Sequence, residues 1–284
     1  MTSTTEGPPL VSPEWLAAHL GDVTVLDIRS VVDGGGRAAY EQAHIPGAVY
    51  TDYVKDGWRA TKGMASGMLP EAEALAALFG RLGLSPARHI VIVGAGNGPG
   101  DFSAAARVYW TLKTARHPGL SILAGGMAAW RRDPTRPTEA GAGQPPAPTD
   151  YPVELDTTWR CDLAKAERAV AQGDCVLLDS RARSFFEGRD KSPNAKRGGR
   201  LPESAHLDHA QAFDADKTLR PEAELAALFG ELMDKPVINY CNTGQQAATN
   251  WFILSEVLGR EGITLYDGSM SEWTEDESRP VATG

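Results

Sequence analysis

The chain has 284 residues, 42% of them hydrophobic and 23% charged, and carries a net charge of −9. Twice the usual domain length leads us to expect two domains, and near-average composition excludes a disordered, fibrous or coiled-coil chain. The acidity argues against nucleic acid or an anionic membrane surface as a partner, and no apolar run approaches the roughly 18 to 20 residues of a membrane span.

In chain order, Ser12 followed by Pro13 reads as a helix N-cap with proline in the first turn, opening PEWLAAHL. VTVLDI (23–28) reads as a short strand buried on both faces. EAEALAALFGRLG (71–83) sets Leu75, Leu78 and Phe79 at helical spacing and stops at Gly83. HIVIV (89–93) and SILA (121–124) are further strands, with a helix in DFSAAARVYWTLK (101–113) between them. The alternation implies βαβ units and a mostly parallel sheet with helices on both faces.

The remainder repeats this plan. VTVLDIRS (23–30) recurs as CVLLDSRA (175–182), AHIPGAVYTD (43–52) as GRLPESAHLD (199–208), and EALAALFG (73–80) as AELAALFG (223–230). HIVIVGAGNG (89–98) lines up with KPVINYCNTG (235–244), and ILAGGMAAW (122–130) with LYDGSMSEW (265–273). Five matches in unbroken order mean two homologous α/β domains, 1–132 and 153–284, joined by a Pro- and Gly-rich linker at 133–152.

In such domains ligands bind beyond the carboxyl ends of strands. Cys241 stands there, in the loop Cys241-Asn242-Thr243-Gly244-Gln245-Gln246 between the strand PVINY and the helix AATNWFILSEVL. Loop amides and a helix N-terminus would lower a thiol pKa and hold an anion, although a buried cysteine can also serve as a small apolar residue. Cys161 and Cys175 lack this setting and read as structural. By letter matching, the first copy has Ala95 opposite Cys241, so that copy has no nucleophile. A dinucleotide site would need glycine at position 99, which is Pro99, and a C-x5-R phosphatase loop would need arginine where Ala247 stands. His206 and His209 lack further ligands at metal spacing.

These segments, with HIPGA (44–48) and YCNTGQQA (240–247), resemble two-domain rhodanese-type sulfurtransferases over essentially the whole chain. The resemblance implies two tandem rhodanese-like domains, an inactive first copy, and a C-terminal copy whose Cys241 takes up sulfur as a persulfide. It implies that the amides of Asn242, Thr243, Gly244, Gln245 and Gln246 solvate the sulfur, and that Asp179 with Arg181 braces the loop or forms an ordinary salt bridge. The departures concern the donor. Thiosulfate-using members carry basic residues where Asn242 and Thr243 stand. Mercaptopyruvate-using members have a serine, histidine and aspartate relay and two arginines; here Thr243 and Asp52 match in part, while Gly67 stands at the histidine and Phe185 and Asn194 at the arginines. Lys196 and Arg197 lie close enough in sequence to compensate.

From Arg181 to Arg200 the basic residues Arg181, Arg183, Arg189, Lys191, Lys196, Arg197 and Arg200 outnumber Glu187 and Asp190. Such an island would draw in a small anion, or form a solvated loop. The expectation is therefore an enzyme without cofactor or metal. It would move sulfur from a small anionic donor, thiosulfate before 3-mercaptopyruvate, to cyanide or a thiol. The alternative is a persulfide carrier serving a sulfur-accepting protein. The start MTSTTEGPPLVSPEWL shows no export signal, so a cytoplasmic location is expected, or a periplasmic one if a signal was removed.

Overall fold

A computed structural model of the chain describes residues 6–33, 35–230, 232 and 235–284. Contacts divide it into two compact units: Met1–Trp58, Pro70–Asp156 and Ala215–Leu219 form one, and Arg59–Leu69, Thr157–Asp214 and Arg220–Gly284 the other. These contact-defined units depart from the sequence division at 132 and 153. Residues 59–69 are early in sequence yet belong to the second unit, residues 215–219 belong to the first, and 133–152 is part of the first unit rather than a free linker. Side-chain bonds fix that last segment, since Thr149 donates to the Leu84 carbonyl at 2.7 Å and Tyr151 meets His117 Nδ1 at 2.6 Å.

The first unit contains β1 (Leu10–Val11), α1 (Pro13–His19), β2 (Val23–Asp27), α2 (Gly36–Gln42) and β3 (Val49–Tyr50). After an excursion it resumes with α3 (Ala72–Arg81), β6 (His89–Val93), α4 (Pro99–Thr114), β7 (Leu120–Leu123) and α5 (Gly126–Trp130). The excursion is the antiparallel hairpin β4 (Ala60–Lys62) and β5 (Ala65–Met68). The sheet is parallel throughout, in the order β1-β7-β6-β2-β3. Its strands are apolar at nearly every position because both faces are covered. Val23, Val25, Val91 and Val93 pack with Leu16 of α1, Tyr40 of α2 and Trp130 of α5. Leu26, Ile90 and Ile92, at the alternating positions, are buried on the other face, where α4 contacts β6 and β7. Ser12 caps α1 as expected, its hydroxyl accepting from Trp15 N at 3.1 Å.

The second unit repeats the plan with β8 (Arg160–Cys161), α6 (Leu163–Gln172), β9 (Val176–Asp179), α7 (Arg183–Phe186) and β10 (Ala205–His206). It continues through α8 (Glu222–Phe229), β11 (Val237–Tyr240), α9 (Gln246–Phe252), β12 (Ile263–Tyr266) and α10 (Ser269–Trp273). Its parallel order, β10-β9-β11-β12-β8, is that of the first sheet. The helix expected after Cys241 is α9 followed by a five-residue π turn, Ile253–Val257. Cys161 lies in the core, where burial pushes its thiol up to about 12, and burial also raises the half-buried Cys175. Among the described residues no helix is long and apolar enough to cross a membrane.

Candidate active site

The strand order switches side at β9: β10 pairs with one side of β9, and β11 pairs with the other, all in parallel. A crevice at strand carboxyl ends opens at such a point. Tyr240, the last residue of β11, pairs with Asp179, the last of β9, and Cys241 follows at once. The thiol-bearing residue is 1% exposed.

The loop is tied back by its carbonyls. Cys241 O accepts from Met270 N at 3.1 Å and Asn242 O from Ser271 N at 3.0 Å. Cys241 N donates to Ser269 Oγ at 3.0 Å, while that hydroxyl donates to Tyr266 O at 2.7 Å. Ser269 holds a left-handed φ of 51°, a conformation that costs a non-glycine residue about 1 kcal/mol. Its hydroxyl anchors the cysteine amide in return. Gly244, at φ 72°, turns the loop, and Gln246 opens α9. The N–H groups of Asn242 and Thr243 donate to no acceptor among the described residues.

The first unit shows what those two amides are shaped for. Strand pairing and carbonyl bonds fix the correspondence between the copies: Val93 pairs with Asp27 as Tyr240 pairs with Asp179, and Met127 N donates to Gly94 O as Met270 N donates to Cys241 O. The counterpart of Cys241 is thus Gly94, not Ala95. Asn242 and Thr243 correspond to Ala95 and Gly96, and Ala248 to Asp101. In the first unit the Asp101 carboxylate accepts from Ala95 N at 2.8 Å, Gly96 N at 2.5 Å and Asn97 N at 3.3 Å. Burial pushes that carboxyl up, and the amides pull it back. A Cβ on Gly94 would sit 2.8 Å from Asp101 Oδ1, so a cysteine there would crowd this carboxylate and oblige it to shift. In the second unit the position of Asp101 is the buried methyl of Ala248, which offers those amides no acceptor.

Arg181 is held by Asp179 through Nε at 2.9 and 3.1 Å and Nη2 at 2.5 Å, and donates to Gly199 O at 2.8 Å and Asn242 Oδ1 at 3.3 Å. The first unit has the same fork, Arg29 on Asp27, with Arg29 reaching Ala43 O at 2.9 Å. Because the brace exists without a cysteine, it belongs to the fold, and the Asn242 contact alone is specific to the loop.

Lys196 and Arg197, expected to grip a donor, are already engaged. Lys196 Nζ donates to Glu275 O at 3.0 Å, and Arg197 Nη2 to Asp276 O and Arg279 O at 2.9 Å each. The rest of the basic island is similarly spent: Lys191 on Ala195 O, Arg189 on Glu187, Arg200 on Phe186 O and Gly284 O, Arg183 over the Phe186 ring. Local charge was legible in the sequence, but not the partners that fix each head. Asp52 caps its own turn in the first unit, accepting from Val54 N at 2.9 Å and Lys55 N at 3.3 Å. His206 and His209 bond the carbonyls of Arg181 and Ser180, and no metal-binding cluster exists among the described residues.

Two features escaped the sequence. Arg59 Nη1 donates to Gln245 Oε1 at 3.4 Å, which puts a cation on the Cys241 loop. Gly67 lies against the loop so tightly that a Cβ built on it would be 1.8 Å from the Thr243 carbonyl oxygen. The buried Asp267 fixes this contact, accepting from Leu69 N at 2.7 Å and Arg160 Nε at 3.0 Å. Neither neighbour follows from spacing, since each spans nearly two hundred residues of chain. The one available signal was the unusual Gly67 before Met68-Leu69-Pro70.

Residues 12–133 and again 162–276 match the rhodanese-like domain family. The chain is 32% identical to a protein named thiosulfate sulfurtransferase from Corynebacterium glutamicum, over 97% of this chain and 90% of that one. It is 28% identical to the sulfur carrier protein TtuD of Thermus thermophilus, over 97% and 96%. Among solved structures, SseA of Escherichia coli, described as a 3-mercaptopyruvate sulfurtransferase with the rhodanese fold, superposes with a TM-score of 0.78 at 26% identity, covering 93% of this chain and 99% of that one.

Proposed function

This chain belongs to the rhodanese family, and from that premise we propose that it is a sulfurtransferase carrying sulfane sulfur on Cys241, with thiosulfate as the favoured donor. The observation that carries this reading is the open amide pair of Asn242 and Thr243. The first unit closes the equivalent amides with its own Asp101 carboxylate, whereas the second leaves them for an anion. A thiolate and then a persulfide anion on Cys241 are the anions within reach.

In the first half-reaction the Cys241 thiolate attacks the outer sulfur of thiosulfate, the S–S bond breaks, and sulfite leaves with the electron pair. In the second, cyanide or a thiolate takes the terminal sulfur and Cys241 departs as thiolate, giving thiocyanate or a new persulfide. Neither step moves a proton. Mercaptopyruvate, by contrast, must gain a proton on carbon as pyruvate leaves, and the place where the resemblance calls for a histidine is Gly67. With the Thr243 carbonyl 1.8 Å from where a Cβ would begin, no side chain fits there. That supports thiosulfate. Arg59 is the cation we assign to the donor, because its bond to Gln245 places it on the Cys241 loop itself.

Likeness to the Thermus sulfur carrier supports a second reading, delivery of the persulfide to a protein thiol with little turnover on small donors. Intact mass separates these possibilities. Incubation with thiosulfate should add one sulfur to the chain, cyanide should remove it, and Cys241→Ser should not acquire it. No adduct from thiosulfate or mercaptopyruvate would sink the enzyme reading, and an adduct from mercaptopyruvate alone would reverse the donor assignment. Persulfide that forms but does not turn over with cyanide would favour the carrier.

A further inference from the structure

We infer that the first unit, which lacks a nucleophile, holds a ligand site of its own for a small organic anion with an apolar body. A cavity of about 460 Å³ opens at the carboxyl ends of β6 and β7, and every residue lining it belongs to the first unit. That volume lies within the roughly 300 to 1,000 Å³ of small-molecule sites. Its floor is backbone, the glycines of the Gly94–Gly98 turn together with Gly125 and Gly126. Leu10, Ile122, Phe102, Ala105 and Leu219 supply an apolar wall, and the segment Lys217–Leu219 edges the opening.

The charges decide the class of ligand. Three carboxylates line the cavity, and each is spent: Asp101 on the loop amides, and Glu14 and Asp133 on Arg136. Two cations remain, Arg132 and Lys217, and neither side chain has a hydrogen-bonding or ion-pair partner among the described residues. The lining carries three cations and three carboxylates, so its formal charge is balanced, but the carboxylates are held by their partners and these two cationic side chains are not; with an apolar wall behind them they favour an anion whose hydrophobic part fills the cavity. A neutral apolar molecule would leave both cations unmet, and an inorganic anion would leave the wall unfilled. The site therefore takes a carboxylate or sulfonate attached to an aromatic or branched aliphatic body.

Anilinonaphthalene sulfonate tests this as an anionic probe, and phenylnaphthylamine serves as its uncharged analogue. Titrated into the full chain at low ionic strength and followed by fluorescence, the sulfonate should fill one saturable site. Arg132→Glu with Lys217→Glu, both at exposed positions, should weaken it by roughly tenfold or more and leave the uncharged analogue's affinity unchanged. Ala124→Phe, which fills the cavity from β7's end, should weaken both probes. Absence of a saturable site overturns the proposal. So does a sulfonate affinity that survives charge reversal, or equal weakening of both probes by it.

Discussion

Ala248→Asp should silence Cys241 without removing it. Ala248 is fully buried in α9 at the position that Asp101 holds in the first unit, where its carboxylate takes three backbone N–H groups at 2.8, 2.5 and 3.3 Å. A carboxylate in the second unit would take the amides of Asn242 and Thr243 in the same way. Hydrogen bonds to a charged group are worth about 1.5–3 kcal/mol each, so diverting two costs the sulfur anion roughly 3–6 kcal/mol. Charge adds to this, since in the first unit the Asp101 oxygen lies 2.8 Å from where a Cβ on Gly94 would be. Each 1.4 kcal/mol is tenfold, so persulfide formation should slow by at least about a hundredfold. Ala248→Asn, of the same shape but uncharged, should slow it much less. Rapid-quench intact mass with thiosulfate gives the rate, and circular dichroism establishes that the variant is folded. A folded Ala248→Asp chain that takes up sulfur at the parental rate would refute the correspondence between the loops.

Gly67→His should fail to confer mercaptopyruvate use and should impair thiosulfate use as well, because its Cβ meets the Thr243 carbonyl; a gain in pyruvate release would contradict this. Arg59→Ala should raise the KM for thiosulfate by about tenfold with a smaller effect on kcat, and Arg59→Lys should recover part of it; steady-state rates at low and high salt provide the check. His117 contributes a pH dependence to stability. Burial holds its pKa down at about 4 from the ordinary 6.5, and its ring meets the Tyr151 hydroxyl and the Arg88 carbonyl. The unfolded chain therefore binds the proton first, and stability is lost as the pH falls from about 6.5 towards about 4, by up to about 3 kcal/mol. Urea midpoints at pH 7 and near pH 4.5 should differ more for the parent than for His117→Asn; equal differences would discount this histidine.

The repeat was readable because strand ends and helix faces demand the same residue types in both copies, as in VTVLDIRS and CVLLDSRA. The position of Cys241 was readable for the same reason, since a cysteine between a buried strand and a helix has few other uses. Exact correspondence within the loop was not. Matching glycine to glycine set Gly98 against Gly244, whereas the hydrogen bonds of the preceding strand, with Val93 equivalent to Tyr240, shift the loop by one residue. Side-chain destinations were also hidden. Nothing in the run from Arg181 to Arg200 tells that Lys196 and Arg197 terminate on carbonyls, and nothing near Arg59 points to Gln245. Such pairings depend on contacts far apart in the chain, which local periodicity does not encode.

The assignment of Arg59–Leu69 to the second unit has a practical side. Anyone wishing to isolate the cysteine-bearing copy would cut near residue 153, and the fragment would retain Cys241 and its whole sheet. It would lack Leu69 N, leaving the buried Asp267 carboxylate with Arg160 as its remaining partner, and it would lack the Gly67 backbone that presses on Thr243. A gene carved at the visible seam of the duplication would thus yield a recognisable fold with an ill-formed loop. Supplying the 59–69 peptide, fused or in trans, is the remedy the structure dictates.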